Sequence, residues 1–266
     1  MEPSDAQEDF TNLAVPPRPS DGQTGLEKLA CVWKVILFLL ITVLFGPALF
    51  GFLAVKLFGA PGPLLPMNFS LLLEVGQFAV LLVTSLLFAS FERRPFGDYG
   101  LPWNGAFGTN FWVGLLLGLA EGSVLIGLIL VLGGYSFGTV ALHGVQMFTW
   151  GLLQFVLFVF VALYEEFAFR GYAQFTLSKV MGFWPTAILL SAGFGLVHLS
   201  NPNEGWVGVA GVVMVGLLFC FTLKRTGNLW LAVGLHAGFD WSESFLYSIP
   251  HLSRPALFCK PPLLAN

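Results

Sequence analysis

Residues 151–172 read "GLLQFVLFVFVALYEEFAFRGY". Positions 151–164 hold one polar amide, Gln154, and no charge; Glu165, Glu166 and Arg170 then follow within two helical turns. An uncharged run of this kind is helix for a bilayer, whose hydrocarbon core takes roughly 20 apolar residues to cross. The rest of the chain agrees. Of 266 residues 56% are hydrophobic and 10% charged, and the mean hydropathy is +0.80. Soluble domains carry about 25% charged residues. Several further runs are as long and as apolar, and none shows the short alternating segments of a membrane barrel. The expected fold class is all-α: a polytopic transmembrane helical bundle of about seven to eight spans.

Working outward, seven spans are expected near 30–58, 68–90, 108–132, 148–178, 184–199, 205–223 and 228–249. A short or re-entrant C-terminal element would make an eighth. Residues 1–27 are acidic and proline-rich at their start and lack the apolar core and cleavage site of a secretory signal, so they are expected to form a flexible cytoplasmic tail. A transmembrane domain over 28–252 and a tail over 253–266 complete the division. Pro47 is expected to kink the first span. Gly114, Gly118 and Gly122 recur every four residues on the third span, a small-residue face suited to close helix contact. Gly205, Gly208, Gly211 and Gly216 are read as packing positions in and around the sixth. Cys31, Cys220 and Cys259 are too far apart for a zinc knuckle or a disulfide framework.

The net charge of -3 reflects Glu2, Asp5, Glu8, Asp9, Asp21 and Glu27 near the N-terminus. No basic patch of the kind nucleic acid requires is present. Lys28, Lys34, Arg93, Arg94, Lys179, Lys224 and Arg225 alternate with loops that lack Lys and Arg, which fits a cytoplasmic N-terminus. Lys56, Arg254 and Lys260 fall on the other side. We expect an integral protein of a prokaryotic cytoplasmic membrane, in contact with membrane lipids and with no nucleic-acid partner.

Ionisable groups inside spans cost roughly 2.5–3.5 kcal/mol each at mid-span and usually mark a site. Here they are Glu74, Glu121, Glu165, Glu166, Arg170, His198, His236, Asp240 and Glu243. Glu166 and Arg170 are four apart and share a face. Glu165 is turned about 100° away, so it can face a cavity while its neighbour is held. Phe194 lies one turn before His198. His236 and Asp240 share a face of the last span, with Glu243 about one turn on. Glu121 lies at mid-span, where it can line a cavity or pair with Arg170 or a histidine, and Glu74 is near enough to a span end to reach the interface. A glutamate and two histidines on three spans could hold and activate one water, or could hold Zn²⁺, which lowers the pKa of bound water to about 7.

In order, the chain reads "EEFAFR", "FGLVH" and "HAGFD". This resembles the three-motif signature of the CPBP family, EExxxR, FxxxH and Hxxx(N/D). That family holds the type II CAAX prenyl endopeptidases, the lysostaphin-resistance-A-like or Abi proteins and bacteriocin-processing relatives. "RRPFGDYGL" (93–101) also looks like the family's approach to the third helix. The resemblance implies an intramembrane endopeptidase with a protease core at about 148–250, a conical cavity, and a membrane-proximal or lipidated peptide as substrate. Carried over by motif, Glu165 and His198 activate the water, His236 and Asp240 orient the carbonyl and stabilise the oxyanion, and Glu166, Arg170 and Phe194 support them. The family often has asparagine where this chain has Asp240. An ionised carboxylate cannot donate to an oxyanion, so Asp240 is protonated, or orients His236, or ligates a metal. Members have been described both as metalloproteases and as metal-free glutamate proteases, so Glu165, His198, His236 and Asp240 are also the candidate ligands of a zinc ion.

One geometric requirement follows. At 1.5 Å per residue, Glu165 is about 25 Å from the outer start of span four and His198 about 24 Å from the inner start of span five. In a core about 30 Å thick, upright helices would hold them on opposite sides. Residues 171–179 are therefore expected to continue span four as embedded helix. Two other readings use the same buried charges: a proton- or ion-coupled transporter, for which no internal repeat is visible, and a non-catalytic scaffold or immunity protein.

Overall fold

The computed structural model describes residues 24–62, 65–201, 205–248 and 257, and among them there is no β-strand. The helices are α1 (Gly25–Leu39), α2 (Gly46–Phe58), α3 (Met67–Glu92), α4 (Thr109–Val131), α5 (Val145–Glu166), α6 (Ala173–Met181), α7 (Phe183–His198), α8 (Trp206–Thr226) and α9 (Trp230–Trp241). Three π-helical stretches, π1 (Leu40–Phe45), π2 (Phe167–Tyr172) and π3 (Ser242–Leu246), follow α1, α5 and α9 without a loop.

Among the described residues five continuous helical segments are long and apolar enough to cross a membrane: Gly25–Phe58, Met67–Glu92, Thr109–Val131, Val145–Met181 and Trp206–Thr226. This is fewer than the seven to eight spans expected. The remaining apolar helices are shorter: α7 has 16 residues, and α9 has 12 before it continues into π3.

α1 starts at the edge of the expected tail. Thr24 Oγ1 accepts from the Glu27 amide at 3.3 Å, and Glu27 Oε2 accepts from the Thr24 amide at 2.9 Å. This reciprocal box satisfies two amides that the first turn leaves open. The remainder of that tail, and the 253–266 tail apart from Leu257, lie outside the described residues, as does Cys259. Pro47 lacks the amide that would bond back to Val43, and the chain answers with the wider π1 register just before it. Thr42 is fully buried there and donates to the Phe38 carbonyl at 2.8 Å.

The Val145–Met181 segment has 37 residues. At 1.5 Å each that is about 55 Å, nearly twice the hydrocarbon thickness. It does not run straight: Gly171 leaves helical geometry (φ -85, ψ -116) inside π2. Helix resumes as α6, which buries Ala173 to Ser178. The expected helical continuation over 171–179 is present, with a kink at its start. A Cβ at Gly171 would lie 2.6 Å from the Phe167 ring.

The chain divides into two compact units. Unit 1 comprises Met1–Leu44, Leu81–Ala106 and Glu165–Ala232. In it α6 packs against α1 and α7, and α7 against α8. Gly182 alone links α6 to α7, at φ 87, where a side chain is disfavoured. A Cβ on Gly195 would lie 2.5 Å from Val213 and 3.0 Å from the Val209 carbonyl, so α7 and α8 touch at backbone distance. The end of α3 is tied in through Glu92, whose carboxylate accepts from Lys34 (3.0 Å), Tyr99 (3.0 Å) and Tyr172 (2.9 Å), with Lys179 Nζ at 3.8 Å.

Unit 2 comprises Phe45–Val80, Phe107–Tyr164 and Val233–Asn266. Its organising contact is between α4 and the α9–π3 segment. A Cβ on Gly118 would sit 2.0 Å from the Leu235 carbonyl and one on Gly122 2.1 Å from Ser242 Oγ. On the other helix, Cβ atoms on Gly234 and Gly238 would sit 2.0 and 2.3 Å from the Phe111 and Leu115 carbonyls. Glycines on both helices thus let the backbones meet. Gly118→Ala is expected to lower stability by about 1–3 kcal/mol, the usual range for overpacking, in thermal unfolding of the detergent-purified chain. Gly127→Ala, on the same helix with nothing within 4 Å of the new atom, is the control expected to leave the midpoint unchanged or raised.

Candidate active site

Each motif lies at or beside a helix end. Glu165 and Glu166 close α5, and Arg170 lies in π2 just before the kink. His198 is the last residue of α7, and Asp240 comes just before π3. π-Helical turns inside α-helices recur at functional sites because they re-aim side chains.

In unit 1, Arg170 and Glu166 are both fully buried and form an ion pair at 3.3 Å, one turn apart. The remaining guanidinium edges, Nε and Nη2, find no hydrogen-bond acceptor among the described residues. They face rings: the guanidinium carbon is 4.3 Å from the centroid of Phe194, 5.6 Å from Phe219 and 5.9 Å from Phe169. Cation–π attraction is worth about 2 kcal/mol or more when desolvated, and here it offsets the missing acceptors. Gly216 makes the space, since a Cβ there would lie 2.3 Å from Arg170 Nη2.

The same arginine connects two motifs. Phe194, beneath it, meets the His198 ring edge-to-face at 4.5 Å. His198 Nδ1 lies 2.9 Å from the Phe194 carbonyl. A carbonyl only accepts, so Nδ1 carries the proton, and in the neutral ring Nε2 is left with its lone pair. Glu165, half-buried, immediately precedes the paired Glu166. Glu165, Glu166, Arg170, Phe194 and His198 therefore belong to one unit, with Arg170 and Phe194 joining the first two motifs.

In unit 2, His236 is buried and its Nε2 lies 3.4 Å from Asp240 Oδ2. Of the three roles open to Asp240, this contact is the one in which it holds the imidazole. The segment is anchored to α5 by Trp241 Nε1, which donates to the Gly151 carbonyl at 2.8 Å, and by Ser244 Oγ, which donates to Gln154 Oε1 at 3.1 Å. The lone amide of the opening stretch is thus part of the support for the last motif. Glu121 is exposed and lies within electrostatic range of Glu243, whereas the side chain that pairs with Arg170 is Glu166. Glu74, expected at the interface, is instead buried and accepts from Gln77.

Sequence spacing did not reveal Gly216, Gly234 or Gly238 as site residues, because their partners lie on other helices. For the last two, the four-residue spacing in "GLHAG" was an available signal. Among the described residues no three His, Cys, Asp or Glu side chains gather into a group able to hold a metal ion. A groove of about 260 Å³ in unit 2 is lined by aromatic and aliphatic residues including Phe111, Trp112 and Phe155. One of about 470 Å³ in unit 1 is lined by Lys34, Leu37, Phe88, Phe91 and Glu92. No motif residue lines either groove, so neither is the cavity the resemblance implies.

Residues 146–242 match the family model described as type II CAAX prenyl endopeptidase Rce1-like. Over this segment the chain is similar to the CPBP family. The match runs from α5 through α9 and contains all three motifs, bearing out the resemblance read from them. No curated protein and no solved structure matches the chain. The family is one of intramembrane proteases, which together with five apolar helices of crossing length makes this an integral membrane protein.

Proposed function

We propose that the protein is an intramembrane endopeptidase that hydrolyses peptide bonds of membrane-proximal or lipid-linked peptides. The observation that carries this reading is the buried Glu166–Arg170 pair seated on Phe194, which in turn packs on His198. Such a desolvated pair is costly in a span, and here it joins the only segment with adjacent glutamates to the helix that ends in a motif histidine.

In the proposed reaction Glu165 takes a proton from the attacking water, and the lone pair of His198 Nε2 orients it. The water oxygen bonds to the carbonyl carbon, and the negative charge moves to the carbonyl oxygen. His236, held by Asp240 through Nε2, donates to that oxygen from Nδ1 as the imidazolium, in which both ring nitrogens carry a proton. The carbon–nitrogen bond then breaks, and the proton held by Glu165 passes to the leaving amine. Glu166 and Arg170 keep the α5 end in place. No step is routed through a metal. We place the N-terminus on the cytoplasmic side of the membrane, from the distribution of Lys and Arg.

Reconstituted wild-type and Glu165→Ala protein in proteoliposomes separate the readings. Wild type is expected to cleave membrane-anchored reporter peptides and to move no protons or ions, and the variant to be folded and inactive. Flux that disappears in the variant would assign a transporter, and no change in either assay a scaffold. Cleavage is expected to persist in a chelator. Its loss, with recovery on adding Zn²⁺, would instead make Glu165, His198, His236 and Asp240 metal ligands.

A further inference from the structure

Glu92 lies outside all three motifs and outside the family match, yet four side chains converge on its carboxylate. Its Oε1 accepts from Lys34 Nζ at 3.0 Å and Tyr172 Oη at 2.9 Å; its Oε2 accepts from Tyr99 Oη at 3.0 Å and lies 3.8 Å from Lys179 Nζ. These partners come from α1, the Phe96–Tyr99 turn, π2 and α6. The Tyr172 ring is fully buried and packs on Phe38 (4.8 Å), Phe88 (5.0 Å) and Tyr99 (5.1 Å). Burial and the Glu92 charge push the Tyr99 hydroxyl well above its usual range, so it stays a donor at any physiological pH.

Tyr172 directly follows Gly171, where the chain kinks, and Arg170 directly precedes it. The side of the kink that carries Glu165, Glu166 and Arg170 is fixed by the guanidinium and its rings. The other side is fixed by Tyr172 and Lys179, both tied to one carboxylate. We infer that Glu92 is a positioning residue for the peptidase site: through Tyr172 and Lys179 it holds the far side of the Gly171 kink and so sets the direction of the glutamate pair. This rests on the peptidase reading above. Two lysines and two tyrosines on one carboxylate exceed what a surface ion pair needs, and charge-assisted bonds are the stronger kind. Such a set fixes the oxygen position in several directions at once.

The test uses full-length protein in nanodiscs, as wild type, Glu92→Gln, Tyr172→Phe and the double variant. Tyr172→Phe removes one hydroxyl and keeps the ring packing, so it tests the idea even if Glu92→Gln fails to fold. Amide hydrogen exchange over residues 167–178 is expected to rise about tenfold in each single variant, with α8 unchanged, and the double variant is expected to exchange no faster than the larger single effect. On a membrane-anchored reporter peptide cleaved by wild type, kcat is expected to fall about 10–100-fold, the usual consequence of a misplacement of about 1 Å, with KM within about twofold. Unchanged exchange at 167–178, or an equal rise in every helix, overturns the inference. A wild-type chain that cleaves nothing overturns the peptidase reading and the catalytic part of this proposal, while the exchange data still decide whether Glu92 holds the kink.

Discussion

Arg170→Met is expected to lower the unfolding free energy by about 3–5 kcal/mol, the cost of removing one partner from a buried ion pair. The reason is what remains. Glu166 is fully buried, and the guanidinium 3.3 Å from its Oε1 is its counter-charge. Methionine fills much of the same space and suits the Phe169–Phe194–Phe219 rings, so packing loss is a minor contributor. The double change Glu166→Gln with Arg170→Met should recover most of the loss, because a neutral pair no longer demands compensation for a desolvated charge. Denaturant or thermal unfolding of the detergent-purified proteins measures both. A loss below about 1 kcal/mol for Arg170→Met, the worth of an exposed pair, would mean that water reaches the site and that the arginine is not the anchor described here.

Glu165→Gln is expected to reduce kcat/KM by about 10²–10⁴-fold, the typical contribution of a positioned general base, with the melting temperature unchanged. Glutamine matches the carboxylate in size and can still orient a water, but it cannot take the proton. Glu165 is half-buried, whereas Glu166 beside it is committed to Arg170. The same change at Glu166 should therefore act mainly on stability and the change at Glu165 mainly on rate. Equal loss of rate and stability at both positions would remove the division of labour between the two glutamates.

These expectations rest on features that differ in how far the sequence discloses them. The pairing of Glu166 with Arg170 is local, set by the helical repeat, and could be read from a spacing of four. The helical continuation past Glu165 followed from arithmetic on helix rise, and it is present as π2 and α6. The kink at Gly171 was not foreseen, because no proline marks it. Pro47 was foreseen as a kink, but the chain meets it with a π-helical register. The full span count is not confirmed, because α7 and α9 are apolar but shorter than the other five segments. Least legible were the tertiary supports. Gly216 under Arg170, the glycines of α9 against α4, and the four partners of Glu92 all depend on residues distant in sequence, and of these only the four-residue spacing of Gly234 and Gly238 leaves a trace in the sequence.

The most direct measurement of the central claim is a comparison of peptide termini in membranes from cells that contain wild-type protein or Glu165→Gln at matched levels. The account predicts new termini near membrane-embedded or lipid-linked segments that appear with wild type and are absent with the variant. The same set of termini in both membranes would contradict it.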